Sequence, residues 1–68
     1  MKINTEKLER ARLLKGWSKT ALAEQANVDP STVGRVERGE NLKPETVKRI
    51  ADVLGVNMEE LLLENNAA

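Results

Sequence analysis

The chain has no cysteine and no histidine, and Trp17 is its one aromatic residue. Without cysteine there is no disulfide framework and no thiolate metal site. Without histidine, the usual zinc ligand and the usual general base at neutral pH are both missing. The acids are spread as helix caps and surface charges, with no pair suited to acid–base work. An enzyme is therefore the least expected class, and neither a cofactor nor a metal is expected. No apolar run approaches the roughly 20 residues of a membrane span. The start, "MKINTEKLER", lacks the apolar core of a signal peptide. The expectation is a cytoplasmic protein with no membrane partner. A chain of 68 residues is one small domain, and such domains bury only about 60 % of their unfolded surface. With no second domain, no sensor for a small-molecule ligand is evident.

Net charge is zero, but the charges are unevenly placed. Residues 1–50 hold all eleven basic residues and seven acids, a net of +4. Residues 51–68 hold Asp52, Glu59, Glu60 and Glu64 and no base, a net of −4. Such asymmetry points to a binding face with an acidic far end.

Caps and periodicity predict five helices. The first runs from about Thr5 to Lys15, with Asn4 as N-cap, Ile3 and Leu8 as a hydrophobic staple, and Gly16 closing it. The second runs from Lys19 to about Gln25 behind the N-cap Ser18. The third has Asp29 as N-cap and Pro30 at its first position, and ends at Arg38 before Gly39. The fourth spans Pro44 to about Leu54, followed by Gly55. The fifth starts at Asn57, spaced from Glu60 as in a capping box, and runs through "MEELLLE". The domain is expected over residues 1–64, with 65–68 as a disordered tail. No alternating pattern suggests a strand, so the fold class is all-α, a compact five-helix bundle. The expected core is Ile3, Leu8, Ala11, Trp17, Leu22, Ala23, Val28, Val33, Val36, Leu42, Val47, Ile50, Ala51, Leu54, Val56 and Leu61. Trp17 is expected to contribute disproportionately.

Between Ser18 and Gly39 two short helices flank the turn "ANVD". That is the spacing of a helix-turn-helix unit. Asn27 falls where a left-handed conformation is usual, which asparagine tolerates. Val28 can plug the angle between the helices, and Ala23 is small where they approach. In the third helix, Val33 and Val36 define the inward side. The opposite stripe holds Ser31, Gly34, Arg35 and Arg38. Gly34 costs about 1 kcal/mol relative to alanine inside a helix.

The run "WSKTALAEQANVDPSTVGRVERGE", followed by "LKPETVKRIADVLGV", resembles the phage-repressor/Cro family of helix-turn-helix domains, also called XRE type. The resemblance covers residues 5 to about 63. Its anchors are Gly16, "ALA" at 21–23, Val28, "STV", "RVERG" and "LGV". It implies a lambda-repressor-like five-helix fold that binds double-stranded DNA through its third helix, about 30–38, in the major groove. Helices of this type read bases near their N-terminal end. Pro30, Ser31, Gly34 and Arg35 are the expected base-reading set. The Arg35 fork can span O6 and N7 of a guanine. Ser18, Lys19, Thr20, Thr32, Arg38 and Lys43 are the expected phosphate contacts. Lys19 stands where the family usually has glutamine, and would act as a point charge. Glu40 and Glu45 lie in the same region and are read as caps and solubilising charges. By the same resemblance, Arg12 and Glu37 form a structural, partly buried salt bridge. Leu13, Val53, Met58, Leu62 and Leu63, with Leu14, are expected to supply a dimer patch. The implied function is a small transcriptional regulator, a repressor by default, acting as a homodimer on a pseudo-palindromic operator. It would be a complete regulator, an antitoxin or controller subunit, or part of something longer. The alternative from another class is a protein-interaction module that keeps the fold and has lost DNA binding.

Overall fold

The computed structural model describes residues 1–62, and within them five helices. They are α1 (Thr5–Lys15), α2 (Lys19–Ala26), α3 (Pro30–Glu37), α4 (Pro44–Leu54) and α5 (Met58–Leu61). Local chemistry sets most of their ends. The Asn4 side chain accepts from the backbone N–H groups of Glu6 and Lys7 at 3.0 and 3.2 Å. Ser18 Oγ accepts from Ala21 N at 3.1 Å. Asp29 Oδ1 accepts from Ser31 N at 3.1 Å, with Pro30 opening α3. Each oxygen satisfies an amide that a helix start leaves unpaired.

The last helix is shorter than its sequence suggests. It stops at Leu61 instead of running on through Leu62. Leu62 is extended (φ −71°, ψ 144°) and forms an isolated antiparallel bridge with Ile3. Asn4 N donates to Leu61 O at 2.7 Å. A four-residue helix has few internal hydrogen bonds to defend, and pairing with the N-terminal segment takes over its end. Leu63 and the expected tail at 65–68 lie outside the described residues.

The architecture is all-α, and its core is aliphatic. Helix α2 packs on α3 and α4, while α4 also packs on α1 and α5. Leu22, Ile50, Leu61, Val36 and Val47 are the largest fully buried side chains. Trp17 is half-buried and packs against the edge of this core rather than filling it. Its ring instead lies under Lys15, whose Nζ is 5.7 Å from the ring centroid, a cation–π distance. Ala11, Val28 and Val56 share that edge position, and Ala26, absent from the expected core, is buried.

The expected dimer patch divides. Val53, Met58 and Leu62 are half-buried against the core, because α5 lies across α4 and α1. Leu13 and Leu14 stay open, 62 % and 83 % exposed.

Two stability predictions follow from these contacts. Ile50→Ala removes a fully buried side chain and is expected to cost about 2–5 kcal/mol. Urea unfolding followed by Trp17 fluorescence checks this, and a loss under about 1 kcal/mol contradicts the packing described. The second concerns pH. The bond from Ser31 N, then that from Ser31 Oγ, then the charge of Arg35 lower the Asp29 pKa below its ordinary value. The charged carboxylate is thus favoured in the folded state. Its contribution is present above the ordinary carboxylate range and is lost as pH falls through the folded pKa. The melting-temperature advantage of wild type over Asp29→Asn is therefore expected at neutral pH and is expected to disappear as pH falls through the lowered folded-state pKa of Asp29.

Candidate nucleic-acid interface

The candidate site is built on the joint between α2 and α3. Asn27 takes φ 58°, ψ 46° and has the only positive φ of a non-glycine residue among the described residues. Val28 N donates back to Ala23 O at 2.9 Å, and Asn27 N to Glu24 O at 3.2 Å. These bonds close α2 and turn the chain within three residues. Arg49 Nη1 reaches over from α4 to donate to Asn27 O at 3.3 Å. Ala23 is fully buried at the crossing.

With Val33 and Val36 buried, Pro30, Ser31, Arg35 and Arg38 are exposed, and Gly34 is half-buried. Three of the four members of the expected base-reading set are therefore exposed on α3. Gly34 is not needed for an unusual backbone conformation. A Cβ built there would meet only Arg38 Nη1, at an ordinary 3.6 Å. The guanidinium of Arg38 therefore lies back beside Gly34 rather than beyond the helix end. Ser31 is partly committed, since its Oγ donates to Asp29 Oδ1 at 3.1 Å.

The expected phosphate contacts fall into two groups. Ser18, Lys19 and Thr20 are exposed around the start of α2. Thr32 and Lys43 border a hollow of about 320 Å³ beside α3, together with Arg35. Asn41 and Thr46 line the same hollow. Sequence reasoning missed both, although they sit in the same "NLKPET" run as Lys43. Lys43 makes no ion pair among the described residues.

The ion pairs differ from expectation. Arg12 and Glu37 do not pair. Arg12, with its side chain 13 % exposed, gives Nη1 to Trp17 O at 2.8 Å and lies 3.9 Å from Glu9. The carbonyl that follows the Gly16 turn is its nearer acceptor. Glu37 instead meets Lys19 at 2.6 Å. That bridge ties the start of α2 to the end of α3, so Glu37 has a different partner from the one expected. Lys19 is a charge held across the two helices rather than a free one. Both ends are about half exposed, where such a pair contributes about 0–1 kcal/mol. At the far end of α3, Glu40 stands between two arginines. Its Oε2 accepts from Arg38 Nε at 2.9 Å, and its Oε1 is 3.8 Å from Arg35 Nε.

No group of three or more potential metal ligands occurs among the described residues. No described helix is long and apolar enough to cross a membrane.

Comparisons with known proteins agree with this geometry. A helix-turn-helix family model matches residues 8–61. No curated protein matches the chain. Among solved structures, a hypothetical transcription factor, NHTF, from Neisseria is 34 % identical, with a TM-score of 0.79. The match covers 90 % of this chain and 71 % of that one. The N-terminal DNA-binding domain of the master biofilm regulator SinR from Bacillus subtilis is 29 % identical, with a TM-score of 0.77. There the coverage is 94 % of this chain and 96 % of that one. A hydroxyethylphosphonate dioxygenase variant shares the fold at a TM-score of 0.81 and 20 % identity, over 97 % of this chain. This chain spans 14 % of the length of that enzyme, and likewise 14 % of PhpD, another structure with the same fold. The family model, the two regulators and the α2–turn–α3 joint agree: the chain belongs to the XRE-type helix-turn-helix family.

Proposed function

We propose that this chain is a sequence-specific double-stranded DNA-binding domain of a small transcriptional regulator. The observation that carries the reading is the outer side of α3. Arg35 and Ser31 are exposed there, on a helix whose inward side is locked by Val33 and Val36. The similarity to NHTF and to the SinR DNA-binding domain supports it. In the proposed complex α3 enters the major groove. Pro30, Ser31, Gly34 and Arg35 face base edges, and Arg35 takes a guanine through O6 and N7. Ser18, Lys19 and Thr20 approach phosphate on one side, and Thr32, Arg38 and Lys43 on the other. The free amides at the start of α2 add a partial positive charge there. Neutralising a phosphate contributes affinity without sequence information, whereas Arg35 contributes discrimination.

The regulator acts as a homodimer on a pseudo-palindromic operator, most simply as a repressor by steric competition. Half-sites one helical turn apart match the two-fold symmetry of such a dimer. Leu13 and Leu14, the two most exposed large apolar residues among those described, are available for a second copy. The same two leucines favour the second reading, a protein-interaction module.

Selection of bound duplexes from a random pool tests DNA binding directly. Enrichment of a half-site repeated in inverted orientation is expected, and failure to enrich any sequence contradicts the reading. On the enriched duplex, Arg35→Ala is expected to lose about 1–3 kcal/mol of discrimination at one base pair per half-site. Lys19→Ala is expected to weaken binding to all duplexes alike and to reduce the log–log salt slope by about 0.9. Identical behaviour of the two variants contradicts this division of roles. Gly34→Ala finds room for its Cβ, so it is expected to stabilise the fold by about 1 kcal/mol. If Gly34 serves groove approach, affinity does not rise with it. A thermal melt and a binding titration of the same variant separate the two effects.

A further inference from the structure

We propose that Glu40 is a positioning residue for DNA recognition, holding the guanidiniums of Arg35 and Arg38 so that both present their terminal nitrogens to the duplex. The inference rests on the DNA-binding reading above. Sequence alone reads Glu40 as a cap and solubilising charge, but the geometry points to another role.

The end of α3 brings Glu40 to the arginines. Gly39 takes φ +76°, a conformation that L side chains rarely adopt. Gly39 N then donates to Val36 O at 2.9 Å, and Glu40 N to Arg35 O at 3.0 Å. This is the double closure of a helix that ends in a left-handed glycine. It folds Glu40 back against the last turn of α3, onto the backbone of Arg35 itself. Its two carboxylate oxygens then divide between the arginines, Oε2 to Arg38 Nε at 2.9 Å and Oε1 towards Arg35 Nε at 3.8 Å.

The nitrogen used decides what this contact does. A guanidinium has five N–H donors in a rigid plane. Contact at Nε leaves the Nη1 and Nη2 groups, the fork that spans guanine O6 and N7. A carboxylate seated on that fork would block it. Glu40 instead hydrogen-bonds the inner nitrogen of Arg38 and stands at ion-pair distance from that of Arg35. Arg38 Nη1 lies beside Gly34, so the second fork is drawn back along α3 toward the first. Two arginines and one glutamate still leave the cluster positive. All three side chains are about half exposed or more, where ion pairs add little stability in water. Their effect instead lies in binding. Two long side chains are partly ordered in advance, and the pairs strengthen as docking excludes water.

The test measures wild type, Glu40→Gln and Glu40→Ala against a duplex selected by wild type and against a random duplex of equal length. Circular dichroism melts of all three control for folding. Positioning predicts that Glu40→Ala binds the random duplex more tightly, having lost a negative charge. Its preference for the selected over the random duplex then falls about tenfold. Glu40→Gln keeps an acceptor for Nε and is expected to retain most of the preference. In the DNA-free protein, the Nε–H resonances of Arg35 and Arg38 are expected to shift in Glu40→Ala. If both variants gain equally on both duplexes, Glu40 is only a repelling charge and the proposal fails. Unmoved arginine resonances also overturn it. If wild type binds neither duplex, the DNA-binding reading falls and this role with it.

Discussion

The fully buried crossing at Leu22 and Ala23 is the constraint on which the rest of the structure depends. Helix α2 packs on both α3 and α4, so its buried side chains bear on how closely three helices approach. Ala23 is small and fully buried, and Val28 N returns to its carbonyl to fix the turn. A larger residue at position 23 would have to displace its neighbours, because close-packed interiors do not absorb added volume cheaply. The turn that leads into α3 is thus tied to a residue that never reaches solvent.

Around that crossing the domain is held mainly by aliphatic packing and by well-placed helix ends. Among the described residues no charged or polar residue is buried, and no buried side-chain polar atom lacks a partner. The described ion pairs lie largely at the surface, so their main effect is on orientation rather than on stability. Lys19–Glu37 joins the two helices of the motif, and Glu40 gathers the two arginines at the end of α3. The zero net charge of the chain therefore coexists with a local cationic cluster whose neutralising acid contacts the inner nitrogens.

Much of the fold was legible before any coordinate. The starts at Asn4, Ser18 and Asp29 and the left-handed closures at Gly16, Asn27, Gly39 and Gly55 are local events. Each depends on side chains within a few residues, so spacing reveals it. The outer stripe of α3 was legible for the same reason, since Val33 and Val36 mark the opposite side. Asn41 and Thr46 were not, because nothing local says that their loop and the first turn of α4 border α3. Nor was the edge position of Trp17. Residue size suggests a central role, but the largest fully buried side chains are Leu22, Val36, Val47, Ile50 and Leu61.

What the sequence by itself determined was the set of helices, the turn that joins α2 to α3 and the residues that α3 turns outward. Those follow from backbone preferences and from the period of the helix. Tertiary structure alone decided that Glu37 pairs with Lys19 and not Arg12, and that Arg12 turns to the Trp17 carbonyl. It also decided that α5 gives way at Leu62 to pairing with Ile3, and which nitrogens Glu40 occupies. The reason is common to all four. Each depends on which of several chemically adequate partners lies nearest in space, and the packing of helices sets that distance.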